Sequence, residues 1–289
     1  MSDIDQLLKG SIDTHVHHGP DSFMVRRVDA LEAARQAQQV GMRAIVLKSH
    51  HYPTTPLAIT VSQLVPGIDV FGSICLDFEV GGLNFYALEA SAKLGAKVVW
   101  MPTSSAANSR AKMSSLGGVP MEGDGFSILD SSGRLVPEMG RILSLVKEHD
   151  MVLASGHISP AETFALVEEA LKTGIRKLII THPSEAEVME KLPSLKEQQQ
   201  LAEMGAFIEY TCNALLPTSF GHNPAHAVEA IKAIGAKQCI ISTDLGQFQN
   251  PPPAEGMRIF IAILLKYGIK EEEIDLVARA NPAKLLNLY

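Results

Sequence analysis

The stretch SIDTHVHHGP, at residues 11–20, places three imidazoles close behind one carboxylate. If this stretch forms a β-strand, alternate side chains share a face, so Asp13, His15 and His17 point to the same side. Imidazole nitrogens one strand repeat apart, about 6–7 Å along the backbone, can reach a single divalent cation. An HxH pair alone is a weak signal. The interpretation of His15 and His17 as metal ligands therefore depends on further donors elsewhere in the chain.

Such donors stand at the ends of other apolar runs. The second run ends in Lys48-Ser49-His50-His51, the fifth in His157, the sixth in His182 and the eighth in Asp244. A single histidine after a strand is usually a core residue, but chance does not explain the same placement in so many runs. We predict that these residues form a metal centre. Their side chains can meet only if the fold brings the ends of several strands together. The predicted ligands are His15, His17, His50, His157, His182 and Asp244.

Short apolar runs alternate with helix-period segments along the whole chain. Continuous apolarity is typical of parallel strands that are covered on both faces. Eight βα units in 289 residues predict an α/β fold, a (β/α)₈ TIM barrel forming a single domain over residues 1–289. A doubly wound sheet is the alternative, but only a barrel brings all strand ends to one mouth. The eight runs are SIDTHVHH, AIVLKSHH, DVFGSICLDF, AKVVWMPT, MVLASGHIS, KLIITHP, AFIEYTCN and QCIISTDLG.

Helix start and stop signals support this alternation. Capping residues precede three helical segments, at Asp29 with Glu32, at Ser159 with Glu162, and at Asn223 before Pro224. Glycines that suit left-handed helix ends stand where helical segments stop and strands begin. These glycines are Gly41, Gly95, Gly174, Gly205 and Gly235.

An interval at residues 103–140, between the fourth strand and its helix, breaks the regular spacing. We predict a lid-like insertion made of a loop and a small hairpin, GFSIL and RLVPE, joined by the turn DSSG. Long insertions at a barrel mouth usually shape access to the site; a loose surface excursion is the alternative. Arg110, in this interval, could meet a substrate carboxylate or phosphate, or could be a solvated loop residue.

Composition excludes several classes of function. The net charge of −7 opposes binding to a nucleic-acid backbone. We find no motif for a nucleotide cofactor and no apolar stretch of membrane-spanning length. Cys75, Cys212 and Cys239 lack metal-site spacing and read as buried free thiols. We expect a cytoplasmic homo-oligomer that acts on a small molecule, without nucleic-acid or membrane partners.

The order of the predicted ligands resembles the metal-binding pattern of the amidohydrolase superfamily. The matching positions are His15-x-His17, His157, His182 and Asp244, and the tail NPAKLLNL at residues 281–288 is similar to the closing helix of that superfamily. The resemblance implies that His15, His17, His157 and Asp244 bind metal, with His182 a second-metal ligand or a substrate-facing imidazole. It also implies a metal-activated water or hydroxide as nucleophile, with Asp244 as the proton acceptor.

One departure from that pattern concerns the number of ions. Many two-metal members have a carboxylated lysine or a glutamate at the fourth strand, where this chain has Val98-Val99-Trp100-Met101-Pro102. Either one ion is bound, or another strand supplies further ligands, with His50 as the leading choice. Lys48 shares a face with His50 and could bind an anion or stabilise developing negative charge; a solvated strand-end lysine is the alternative. We expect one or two divalent ions, with zinc favoured and iron or manganese as alternatives.

We therefore predict a metal-dependent hydrolase of an amide, ester or lactone-type bond, and Lys48 with Arg110 favours an anionic small molecule. Glu209 would either orient a ligand histidine from behind or point outward, and it also remains a candidate substrate contact. A more distant resemblance to the PHP phosphoesterases would make Glu79 a ligand or a substrate contact. A non-haem iron or di-iron oxygenase and a non-catalytic metal-binding barrel are the remaining alternatives.

Overall fold

A computed structural model describes residues 3–116 and 123–289 of the chain. The chain divides into two compact units. The first unit comprises Met1–Lys48, Thr54–Gly72 and Glu209–Tyr289, and the second comprises Ser49–Pro53 and Ser73–Ile208.

The described residues contain nine β-strands and thirteen α-helices. The strands are β1 (Ile12–His17), β2 (Ala44–Lys48), β3 (Asp69–Phe71), β4 (Ser73–Cys75), β5 (Val98–Trp100), β6 (Val152–Ala154), β7 (Leu178–Ile180), β8 (Phe207–Thr211) and β9 (Cys239–Ser242). The helices are α1 (Asp3–Leu8), α2 (Ala30–Gln39), α3 (Thr55–Leu64), α4 (Phe85–Lys93), α5 (Arg110–Leu116), α6 (Glu138–Glu148), α7 (Pro160–Thr173), α8 (Leu195–Glu203), α9 (Cys212–Leu215), α10 (Pro224–Ile234), α11 (Pro253–Lys266), α12 (Glu271–Asp275) and α13 (Asn281–Leu286). Short 3₁₀ turns cover Phe78–Val80 and Ala236–Gln238, and a π-helical turn covers Leu276–Ala280.

Parallel strands form the core of the first unit. β1 pairs with β2, and β2 pairs with β3. On its other side β1 meets the chain just after β9, where Val16 bridges to Leu245 and the His17 N–H donates to the Leu245 carbonyl at 2.9 Å. Every residue of β1 and β2 is buried, as expected for strands that are covered on both faces.

The second unit has a parallel sheet in the order β4-β5-β6-β7-β8. The three-residue strands β4 to β7 are fully buried. Each of the eight apolar runs thus forms strand, and the predicted alternation of parallel strands with helices is confirmed.

The third run differs from the prediction because Gly72 interrupts it, so that β3 and β4 are separate strands. The backbone of Thr55, at the start of α3, lies so close that a Cβ on Gly72 would come within 2.3 Å of the Thr55 Cα. No side chain larger than hydrogen fits there without a backbone shift.

We expect Gly72→Ala to lower the free energy of unfolding by about 1–3 kcal/mol, because overpacking forces the backbone to move. Urea unfolding, followed by the fluorescence of Trp100, the single tryptophan, measures the change. Gly140→Ala is the matched control, since nothing lies within 4 Å of its added Cβ and alanine favours a helix by up to about 1 kcal/mol. Equal stability of the two variants would contradict the steric argument.

The predicted helix boundaries are confirmed in detail. Asp29 accepts the backbone N–H of Glu32, Ser159 and Glu162 form a reciprocal capping box, and Asn223 accepts the N–H of Ala225. The five predicted helix-end glycines all have positive φ: Gly41, Gly95, Gly174, Gly205 and Gly235. Gly235 departs from the predicted left-handed conformation, because its ψ is 132°.

The interval at 103–140 is partly helical. The predicted hairpin is present, with an antiparallel bridge between Leu129 and Leu135. It is anchored to α7, because the Glu162 carboxylate accepts the Ile128 N–H at 2.9 Å. The prediction of a plain loop before it is wrong over α5, where the sequence RAKMSSL consists largely of residues that tolerate a helix. Residues 117–122 of the predicted insertion lie outside the described residues.

None of the helices in the described ranges combines the length and the apolar composition needed to cross a membrane.

Candidate metal centre

Two imidazoles and one carboxylate of the first unit converge on a single point. His15 Nε2 and His17 Nε2 each lie 3.1 Å from Oδ1 of Asp244. One ligand atom from each residue lies within 4.8 Å of the other two, and all three residues are buried. The three side chains therefore form a group that could hold a metal ion.

The local backbone explains this convergence. Alternation along β1 puts His15 and His17 on one face, with ring centroids 5.4 Å apart. Asp244 follows β9 in a left-handed conformation, with φ 52°, and its N–H donates to the His15 carbonyl at 2.9 Å. Left-handed backbone is uncommon in residues other than glycine and clusters at functional sites. Next to it, a Cβ on Gly246 would lie 2.2 Å from the His17 carbonyl oxygen, so glycine is required for this close approach.

Glu209, in the middle of β8, fixes the orientation of the His15 ring. Its Oε2 lies 3.4 Å from His15 Nδ1, and its Oε1 accepts the Ser242 hydroxyl at 2.8 Å. An ionised carboxylate only accepts hydrogen bonds, so Nδ1 of His15 is the donor and Nε2 is left to bind a metal. Glu209 is fully buried, which agrees with the inward, orienting alternative rather than the outward one.

Asn213 holds the other oxygen of Asp244. Its amide Nδ2 donates to Asp244 Oδ2 at 3.0 Å. Its own Oδ1 accepts from Ser219 Oγ at 2.6 Å and from Asn250 Nδ2 at 3.0 Å. The carboxylate is therefore held so that Oδ1 faces the two histidines. Sequence reasoning missed Asn250, which lies in a proline-rich loop and follows no apolar run.

Lys48 is the last residue of β2, and only 1% of its surface is exposed. Its Nζ lies 2.8 Å from His15 Nε2. The alternative of a solvated strand-end lysine is therefore wrong, and the amino group belongs to the same polar cluster as His15.

The charges of this cluster shift the pKa values of both histidines. Burial and Lys48 lower the pKa of His15, but Asp244 and Glu209 outweigh them and raise it to about 9. Burial, assisted by Arg26, holds the pKa of His17 well below its usual range. Metal binding at His15 would therefore release a proton at neutral pH.

Three further predicted ligands come together in the second unit. The ring centroids of His50 and His157 are 6.1 Å apart, and those of His157 and His182 are 5.0 Å apart. His182 has a left-handed backbone, with φ 53°, and its Nδ1 lies 2.9 Å from Oε2 of buried Glu185. That these histidines share one centre with His15, His17 and Asp244 remains a prediction.

Asp77, just after β4, is a buried carboxylate that sequence reasoning missed. His50, Cys75 and Asp77 each offer a ligand atom within 4.8 Å of the other two. Asp77 is the second-last residue of the apolar run DVFGSICLDF, so the rule that found Asp244 could also have found it. The predicted candidate Glu79 has a partly exposed carboxylate, 3.6 Å from Nδ1 of His51.

Comparison with protein families decides the family. The model of a family of unknown function, DUF6282, matches residues 10–209. The chain belongs to this family. No curated protein matches it in sequence.

Solved structures share the fold of this DUF6282 member. An amidohydrolase from Pseudomonas aeruginosa is 13% identical, with 98% of each chain covered and a TM-score of 0.62. A lactonase from Listeria monocytogenes is 15% identical, with 99% of this chain and 96% of that chain covered and a TM-score of 0.65. A 2,6-dihydroxybenzoate decarboxylase from Rhizobium is 13% identical, with 97% and 99% covered and a TM-score of 0.61. These similarities show a shared fold and confirm the predicted α/β class with parallel strands, whereas closure of the eight-stranded barrel remains a prediction.

Arg110 of this family member lies at the start of α5. Its guanidinium stacks over the ring of Phe78, 5.2 Å from the centroid, and donates to the Ser104 carbonyl at 3.2 Å. Arg110 is thus held in the second unit, and its contact with a substrate anion remains a prediction.

Proposed function

We propose that this chain is a metal-dependent hydrolase of a small anionic molecule, with one or two divalent ions per chain. The observation that carries the proposal is the approach of His15 Nε2 and His17 Nε2 to one oxygen of Asp244, each at 3.1 Å. The proposed ligands are His15, His17 and Asp244 in the first unit, and His50, His157 and His182 in the second.

The donor set fits a catalytic ion. Two imidazole nitrogens with one carboxylate oxygen suit zinc, iron or manganese, and we propose zinc. Three protein ligands leave an open coordination position, whereas structural zinc sites are closed by four. The carboxylate of Glu209 behind His15 matches the arrangement that orients ligand histidines elsewhere. When bound, the ion would act as a Lewis acid that polarises the substrate carbonyl and lowers the pKa of a bound water molecule.

The side chains around the centre would accept the proton of the attacking water and stabilise negative charge. Asp244 is the proposed proton acceptor from the attacking water, because Asn213 holds its Oδ2 while Oδ1 stays at the centre. Lys48 is the proposed stabiliser of negative charge on the substrate or on the oxygen that develops charge.

An amide, ester or lactone carbonyl is the proposed target. The buried amino group of Lys48 inside the cluster favours an anionic substrate. The names of the similar structures, an amidohydrolase and a lactonase, support hydrolysis at a carbonyl carbon.

Metal analysis with a substrate panel tests the proposal. The purified protein should contain about one or two divalent ions per chain, lose activity on chelation and regain it with Zn²⁺. The panel compares lactones, esters and amides with phosphate monoesters, and an oxygen electrode monitors oxygen uptake. Hydrolysis of the first group supports the proposal. Cleavage of monoesters only, oxygen uptake, or absence of any ion would contradict it.

A further inference from the structure

A chain of hydrogen bonds links His50 to the buried carboxylate of Asp77. His50 Nδ1 lies 2.6 Å from the hydroxyl oxygen of Thr103, and that hydroxyl donates to Asp77 Oδ2. The direction of each bond follows from one fact: an ionised carboxylate can only accept. Because the Thr103 hydroxyl donates its single proton to Asp77, its oxygen must accept a hydrogen bond from His50. Nδ1 of His50 therefore carries a proton, so that in the neutral imidazole Nε2 carries the lone pair.

Asp77 is held rigidly enough to impose this direction. It is fully buried, and its Oδ1 accepts the backbone N–H groups of Thr103 and Ser105 at 2.8 and 2.9 Å. These bonds fix the segment after β5 against the end of β4, so that the Thr103 hydroxyl stands between the carboxylate and the imidazole.

The same tautomer is set independently at a neighbouring histidine, His157. Ser109 Oγ donates to the Val188 carbonyl at 2.7 Å, so it accepts from Nδ1 of His157 at 3.0 Å. In both His50 and His157, the acceptor on the Nδ1 side leaves Nε2 as the nitrogen that can bind a cation.

We propose that Asp77 is a positioning residue that acts through Thr103 to hold His50 in the tautomer with its proton on Nδ1. Its importance for activity rests on the proposed function, in which His50 serves the metal centre through Nε2. The rival arrangement is direct binding of an ion by His50, Cys75 and Asp77. The hydrogen bonds oppose it, because Nδ1, the His50 nitrogen that faces Asp77, is already bound to Thr103, and Asp77 already accepts three donors.

Asp77→Asn reverses the direction of the hydrogen bonds that link Asp77, Thr103 and His50, and it keeps a side chain of the same size. The asparagine oxygen can still accept the two backbone N–H groups, but its NH₂ group then faces the Thr103 hydroxyl. The hydroxyl must accept from that group and donate to His50, so the proton of His50 moves to Nε2. A histidine that no longer presents Nε2 should lower kcat/KM by roughly 10- to 100-fold.

Nitrogen NMR of the chelated protein, labelled with ¹⁵N in its histidine rings, reads the tautomer without a bound ion that would itself fix it, and His50→Gln assigns the His50 signals. We expect Nδ1 of His50 to be protonated in the parent and in Thr103→Ser, which keeps the hydroxyl. In Asp77→Asn the proton should lie on Nε2, and in Thr103→Val the preference for Nδ1 should be lost. Asp69→Asn, an exposed carboxylate at the start of β3, is the matched control and should change nothing. Thermal unfolding of every variant separates a tautomer change from a loss of fold.

Three outcomes would overturn the inference: a parent His50 protonated at Nε2, an Asp77→Asn spectrum identical to the parent, or a thiolate-to-metal absorption band in the cobalt-loaded protein that Cys75→Ala removes and Cys212→Ala keeps. The last result would establish the rival ion site. The tautomer does not depend on turnover. If the expected spectra are found in a protein that binds no ion and hydrolyses nothing, the proposed function fails and the role of Asp77 in setting the tautomer stands.

Discussion

His15→Ala should abolish stoichiometric metal binding and with it all metal-dependent hydrolysis. His15 is the centre of the first-unit cluster, since its Nε2 faces Asp244 and Lys48 while its Nδ1 faces Glu209. Alanine removes one of the three proposed ligands, the imidazole that Lys48 Nζ approaches at 2.8 Å. We expect metal affinity to fall by more than about 100-fold, because even the residues behind a ligand contribute about 10- to 100-fold. Elemental analysis and competition with a chelator measure the loss.

A neighbouring histidine supplies the control. His18 is also buried, but its Nδ1 contacts the Gly19 carbonyl at 2.9 Å, so His18→Ala should keep the ion. The metal affinity of Glu209→Gln should lie between those of His15→Ala and His18→Ala, about 10- to 100-fold below the parent. The substitution weakens the group that orients His15 and keeps the ligand itself. If His15→Ala purifies with as much ion as the parent, the centre does not lie at β1. Unfolding measured on chelated protein shows whether alanine costs stability apart from the metal.

The strands, and most of the histidines, could be predicted because both follow from local rules. Buried parallel strands are apolar throughout, so a histidine or aspartate at the end of such a run stands out. Alternation along β1 then places His15 and His17 on one face, and the structure brings them to Asp244. The same rules left two orientations open for Glu209 and two for Lys48, because burial depends on what packs against a strand end.

The residues that sequence reasoning missed act through hydrogen bonds between distant loops. Thr103 meets Asp77 across 26 positions, and Asn250 meets Asn213 across 37, and no periodicity links such pairs. The position of Glu79, the candidate that the sequence favours over Asp77, has a more specific structural cause. Strand alternation does not continue beyond Asp77, because the chain turns into a 3₁₀ turn at Phe78–Val80, so Glu79 lies near the surface.

Asp244→Asn should remove most activity while leaving the fold intact. The backbone at Asp244 is left-handed, with φ 52°, and asparagine is among the residues that best tolerate this conformation, so the change adds no strain. Asn213 donates to Oδ2, and the new amide oxygen is the only atom that can accept this bond. The NH₂ group therefore turns toward His15 and His17 and cannot accept a proton. We expect kcat to fall by about 10²- to 10⁴-fold, the usual contribution of a general base.

Steady-state kinetics at saturating Zn²⁺, with thermal unfolding in parallel, separate this loss from weaker metal binding. Asp29→Asn is the matched control in the same unit, because asparagine caps a helix as well as aspartate does, and it should match the parent in both measurements. If excess Zn²⁺ restores full activity to Asp244→Asn, the carboxylate serves only to bind the ion and another group accepts the proton. If kcat stays low with the ion fully bound, Asp244 is itself the base, because the amide differs from the carboxylate mainly in its charge and its capacity to take a proton.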